Sequence, residues 1–135
     1  MAYCQGYLCL GSGSTVRVRT CGCRGYITVK GAGAGMVRRE FEYEIPFPDA
    51  KEMLEEVCAK PLIVKDRYRI VHKGFTWEVD LFHGANEGLV IAEIELETPE
   101  QVFPLPEWIG REVTGDPRYF NASLVKYPYS QWKEE

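Results

Sequence analysis

Apolar and polar residues alternate with a period of two along much of this chain, the pattern of half-buried β-strands. The clearest runs are Thr-Val-Arg-Val-Arg-Thr-Cys (15–21), Tyr-Ile-Thr-Val-Lys (26–30) and residues 37–45, 62–71, 75–82 and 89–96, with a weaker alternation over 5–10. Glycine-rich breaks at 11–14, 22–25 and 31–35, and a single Gly74, separate neighbouring runs and predict antiparallel strands joined by turns. Pro46 and Pro48 end the run at 37–45. Directly behind them Ala50, Met53, Leu54, Val57 and Cys58 recur at helical spacing, with Asp49 and Glu52 placed as a capping box. That helix is expected outside the sheet, apolar stripe inward. Thr98-Pro99-Glu100-Gln101 predicts a further helix start, and Asp116-Pro117 another short one. The fold class is therefore α+β, mostly β, in one domain spanning 1–135.

The polar positions have a pattern of their own. Five strands carry two like charges two positions apart: Arg17/Arg19, Glu42/Glu44, Lys65/Arg67, Glu78/Asp80 and Glu93/Glu95. On an extended strand both members share a face, roughly 7 Å apart. Any one such strand reads most simply as having a solvated outer face. Repetition across five strands favours a closed sheet with charged faces inward, while aromatic and branched residues such as Phe41, Tyr43, Trp77 and Val79 pack beneath helices. Arginine forks and lysine ammonium groups bind phosphate oxygens, and converging carboxylates hold hard cations such as Mg2+ or Mn2+. Cross-strand ion pairs among the same residues are the competing structural reading.

Composition narrows the partners. A net charge of -4 argues against a broad nucleic-acid footprint. No apolar run approaches the roughly 20 residues needed to span a bilayer, and the start lacks a signal-peptide pattern, so no membrane partner and a cytoplasmic location are expected. Five cysteines without an export signal are read as thiols, and Cys21-Gly22-Cys23 lacks zinc-knuckle spacing. His72 and His83 are read as isolated loop or surface residues.

The ordered series T-V-R-V-R (15–19), Y-I-T-V-K (26–30), R-R-E-F-E-Y-E-I-P (38–46), K-D-R-Y (65–68), W-E-V-D-L-F (77–82), A-E-I-E-L (92–96) and W-I-G-R-E-V-T-G-D-P-R-Y-F-N (108–121) resembles the CYTH domain of triphosphate tunnel metalloenzymes, in its short bacterial form. The resemblance implies an antiparallel β-barrel, with helices packed outside, whose charged tunnel hydrolyses a triphosphate, inorganic triphosphate first among candidates, with Mg2+ or Mn2+. It also implies roles: Arg17, Arg19, Lys30 and Arg67 binding phosphate, Glu93 and Glu95 binding metal, and Glu42, Glu44 and Asp80 as further acidic lining. Lys65 matches a lysine that helps activate the attacking water. Such members carry an E-x-E-x-K strand ahead of Gln5, and the chain is expected to lack it, leaving sheet edges through which two copies could pair. The family's other activity, adenylyl cyclase, and a weakened polyphosphate- or nucleotide-binding module remain alternatives.

Overall fold

The computed structural model describes residues 1–10, 13–31 and 39–132. Four strands come first: β1 (Ala2–Leu10), β2 (Ser14–Cys21), β3 (Arg24–Gly31) and β4 (Glu40–Ile45). The helix α1 (Phe47–Glu56) follows, then β5 (Ile63–His72), β6 (Phe75–His83), β7 (Val90–Ile94) and a short α2 (Asn121–Lys126). The strands form one sheet in the order β4-β3-β2-β1-β5-β6-β7, with every neighbouring pair antiparallel. This is the expected mostly-β architecture with its helix on the outside. β1 is central, and the halves on either side of it curl towards each other around a cavity reached from six strands.

Turn chemistry fixes the strand pairs. Lys73 and Gly74 both have positive φ, 49° and 82°, between the partners His72 and Phe75. Such two-residue turns match the twist of the flanking strands. The β2–β3 turn is tighter than the expected 22–25 break, because Cys21 already pairs with Arg24 and only Gly22 and Cys23 lie between them. Gly25 belongs to the strand for another reason. A Cβ there would sit 2.6 Å from the Cβ of Ala50, so the missing side chain is what lets α1 lie close against β3.

The convex face of β1–β3 is covered by α1. Ala50, Leu54 and Cys58 pack on Val18, with Cys4, Leu8, Ile27 and Ile45 around them. Gly6 allows the same closeness, since its Cβ would meet Leu62 at 2.7 Å. The helix begins at Phe47, two residues ahead of the expected Asp49 cap, with Pro46 at the cap position and no side-chain capping bond. Proline's fixed φ and missing N–H suit the first turn, so the prolines start the helix as well as ending the strand.

Several expectations give way. Phe41 and Tyr43 are 48% and 60% exposed rather than packed under a helix, because α1 lies over β2 and β3 and stops short of edge strand β4. The start of the 37–45 run lies outside the described residues as far as 38, and the strand itself begins at Glu40. No helix forms at Thr98. The segment makes one turn, closed by the Gln101 amide on the Thr98 carbonyl, before Pro104 and Pro106 interrupt further helical bonding. It instead brings Phe103 and Trp108 edge-on against Trp77, with ring centroids 5.9 and 5.7 Å away. The second expected start does form: Asp116 accepts a hydrogen bond from the Arg118 amide to open a 3-10 turn, and α2 follows.

Nor is His83 isolated. Its Nε2 lies 2.9 Å from Asp66 on β5 and its Nδ1 lies 3.4 Å from Glu87. Sequence could not show this, because Asp66 comes close only through the register that sets His83 opposite Val64. All five cysteines are free. No helix among the described residues is long and apolar enough to cross a membrane.

Candidate functional site

The concave face of the sheet bounds a cavity of about 350 Å3. One end is closed by an apolar plug in which Tyr7, Ile63 and Phe82 from the sheet meet Leu124 and Val125 of α2. Alternation decides which side chains reach the cavity. Thr15 and Arg17 enter from β2, Thr28 and Lys30 from β3, Lys65 from β5, Asp80 and Phe82 from β6, and Ile91 and Glu93 from β7. Tyr119, Phe120, Asn121 and Ala122 contribute from the segment leading into α2.

On one side the charges are tightly paired. Lys65 is 4% exposed and its Nζ lies 2.9 Å from Asp80. Arg67 grips the same carboxylate with two prongs, Nε to Oδ1 at 2.7 Å and Nη2 to Oδ2 at 2.9 Å, and reaches Glu78 at 3.3 Å. This arrangement follows from register, since Arg67 faces Asp80 and Arg69 faces Glu78 across β5–β6. Burial pushes the Lys65 ammonium below its ordinary range, with Arg67 adding to the effect against the opposing pull of Asp80 and Glu93. Asp80 moves down as well: burial would raise it, but the hydrogen bond from Arg67 and the charge of Lys65 outweigh that. Arg67 is held firmly charged by its bond to Asp80.

The opposite side is less satisfied. Arg17 and Arg19 share a single carboxylate, Glu42, at 3.9 and 3.6 Å, and Glu42 is itself 42% exposed. Thr28 Oγ1 donates to Glu42 at 2.8 Å and accepts from Arg17 at 3.4 Å. The Nε–H groups of Arg17 and Arg19 are buried without an acceptor, as is the side-chain amide nitrogen of Gln5. Gln5 faces Arg19 and Tyr7 faces Arg17 across β1–β2, so the three orphan donors lie on adjacent rows. Buried polar groups normally find partners, and a set of donors without acceptors suits an anion.

Lys30 lines the cavity on the side of Arg17. Glu44, on edge strand β4, faces Tyr26 and acts electrostatically on exposed Arg24. Glu93 and Glu95 part company. Glu93 enters the main cavity, while Glu95 lies beyond the end of β7 in a separate shallow pocket and reaches Arg69 at 3.7 Å. Glu93 instead stands directly opposite Glu78. Like charges so placed repel, and a hard cation would relieve them. Among the described residues no three acidic, imidazole or thiol side chains converge enough to hold a metal unaided. The donor set suits a Mg2+-like ion, which binds through one or two carboxylates and completes its shell with water and phosphate oxygens.

Thr28, Tyr7 and the 119–122 segment escape the search for charge pairs. The first two were open to simple alternation, since Thr28 shares a face with Lys30, and Tyr7 with Gln5. The 119–122 segment overlaps the 108–121 motif but carries no charge pair, and it reaches the cavity because α2 folds back against the sheet.

The chain is 58% identical over 132 residues to an inorganic triphosphatase of Acetivibrio thermocellus, covering 98% of this chain and 85% of that protein. It is 36% identical over 125 residues to an inorganic triphosphatase of Nitrosomonas europaea, covering 90% of this chain and 82% of that protein. A crystal structure of an inorganic triphosphatase superposes with a TM-score of 0.74 at 29% identity, covering 92% of this chain and 84% of the other. The CYTH domain model matches residues 9–129. With a curled antiparallel sheet, a charged concave face and a match over most of its length, this chain belongs to the CYTH domain family.

Proposed function

We propose that this protein hydrolyses a phosphoanhydride bond of a triphosphate, inorganic triphosphate in particular, within the charged cavity. The observation that carries this reading is the row of buried N–H donors without acceptors on Arg17, Arg19 and Gln5, beside Lys30. A linear polyphosphate supplies several acceptor oxygens for such donors, and the relatives named above are inorganic triphosphatases.

Arg17, Arg19 and Lys30 would take the phosphoryl oxygens on the open-donor side, with Arg67 contributing its remaining N–H from the other. Asp80 orients Arg67 and Lys65. Glu42 and Glu44 supply negative charge towards the outer edge of the same face. Glu93 would hold a divalent cation, Mg2+ or Mn2+, with Glu78 opposite it, and Glu95 would extend that acidic strip at its far end. The cation would neutralise charge on the phosphate oxygens.

Phosphoryl transfer asks mainly for positioning and charge neutralisation, which such a lining provides. Burial eases loss of a proton from the Lys65 ammonium, and the neutral amine so formed accepts a proton from the attacking water. The water oxygen bonds to the terminal phosphorus as the bridging P–O bond breaks. Orthophosphate and pyrophosphate leave, and the proton on Lys65 returns to solvent.

Phosphate release from tripolyphosphate in the presence of Mg2+ or Mn2+ is the direct test. Activity should vanish with EDTA and fall at least about 100-fold in Lys65→Ala and in Glu93→Ala. Rates unchanged by both substitutions would overturn the assignment. Cyclic AMP formed from ATP would point instead to a cyclase, and tripolyphosphate binding without turnover to a binding module.

A further inference from the structure

Tyr3 lies on the same face of β1 as Gln5 and as Tyr7, the β1 residue that lines the cavity, and stands between β2 and β5. Its ring is flanked by guanidinium groups from both neighbouring strands. The Arg19 Cζ lies 5.4 Å from the ring centroid and the Arg67 Cζ lies 5.1 Å from it. Arg19 also sits 5.5 Å from the ring of Tyr26, its direct partner on β3. We infer that Tyr3 is a positioning residue for substrate binding: its ring sets the separation and orientation of Arg19 and Arg67 without taking an N–H donor from either.

Chemistry explains why a ring suits this place better than a carboxylate. An arginine fixed by a salt bridge gives up donors to its partner, as Arg67 does to Asp80 and Glu78. A guanidinium held against an aromatic face is attracted through the ring quadrupole and keeps its edge donors available. The orphan Nε–H of Arg19 is what this arrangement leaves behind. The ring also stands between two like charges, on β2 and β5, that would otherwise repel. Tyr3 thus links the phosphate-binding arginine of β2 to the paired arginine of β5. This inference rests on the triphosphate reading of the cavity.

Tyr3→Leu should raise KM for tripolyphosphate, and the calorimetric Kd, by about tenfold, the sum expected from two partly exposed cation–π contacts. Its kcat should stay within about threefold of the parent. Tyr3→Phe keeps the ring and should restore both constants to within about twofold. In an Arg19→Ala background the effect of the Leu substitution should shrink to about threefold, because one of its two arginine contacts is already gone. A general loss of structure would lower kcat and the melting temperature together and would not be rescued selectively in KM. An unchanged KM and Kd in Tyr3→Leu would overturn the inference. So would a Phe variant as impaired as the Leu variant. The two readings fail separately: tripolyphosphate binding that weakens in Tyr3→Leu without any turnover in the parent sinks hydrolysis alone, and turnover indifferent to Tyr3 sinks the positioning role alone.

Discussion

The two sides of the cavity carry the same kinds of charge in different states. Across β5 and β6, Lys65, Arg67, Asp80 and Glu78 are saturated by one another, with the central pair almost wholly buried. Across β1, β2 and β3, two arginines share one half-exposed carboxylate and keep buried donors without acceptors. A saturated network gives rigidity. An unsaturated one waits for a ligand. The difference separates charges already neutralised by one another from charges that keep donors for an anion, although both look alike as alternating charges in the chain.

Breaking the buried side should have the largest structural effect. Asp80→Asn removes the shared partner of two buried or half-buried cations and should destabilise the fold by about 3–5 kcal/mol, measured by urea unfolding. The pH dependence sharpens the point. Because the Asp80 carboxyl is held below its ordinary value, its stabilising contribution is present above pH of about 4 and is lost as pH falls through the lowered value. Asp80→Asn should therefore flatten the acid limb of the stability curve. An unaltered acid limb would mean that other carboxylates carry it.

The open side should respond the other way round. Arg17→Ala with Arg19→Ala should weaken tripolyphosphate binding by about 100-fold or more, as expected for losing charge-assisted hydrogen bonds. Folding stability should change by less than about 1 kcal/mol, since both of their ion pairs go to one partly exposed carboxylate, Glu42. If the double variant unfolds as readily as Asp80→Asn, the contrast between the two sides is wrong. The smallest effect is expected from Glu42→Gln, within about 0.5 kcal/mol in stability. Any change in its tripolyphosphate affinity should be a gain, because a carboxylate competing for the two arginines is neutralised.

Much of this was legible in the chain, for a reason tied to the period of the strand. Side chains two apart must share a face, so Arg17 with Arg19, or Lys65 with Arg67, could be assigned together before any fold was known. The apolar stripe of α1 was equally readable from its spacing at Ala50, Met53 and Leu54, whereas Val57 lies past the end of the helix and is 64% exposed. Legibility failed where the deciding contact lay far away in sequence. Phe41 and Tyr43 have the pattern of covered residues, yet only the reach of α1 determines cover, and it does not extend over β4. Thr98-Pro99 has the start of a helix without the residues to continue it.

Sequence by itself determined the strands, the face on which each charge lies and the family, because these depend on local periodicity and on the order of short motifs. Tertiary structure alone decided which charges meet. It set Glu93 against Glu78 and sent Glu95 elsewhere, tied Lys65 and Arg67 to one carboxylate, and left Arg17 and Arg19 with donors to spare. Register and the curl of the sheet control those distances, and Coulombic and hydrogen-bond energies depend on separations of a few ångströms that a one-dimensional pattern does not contain.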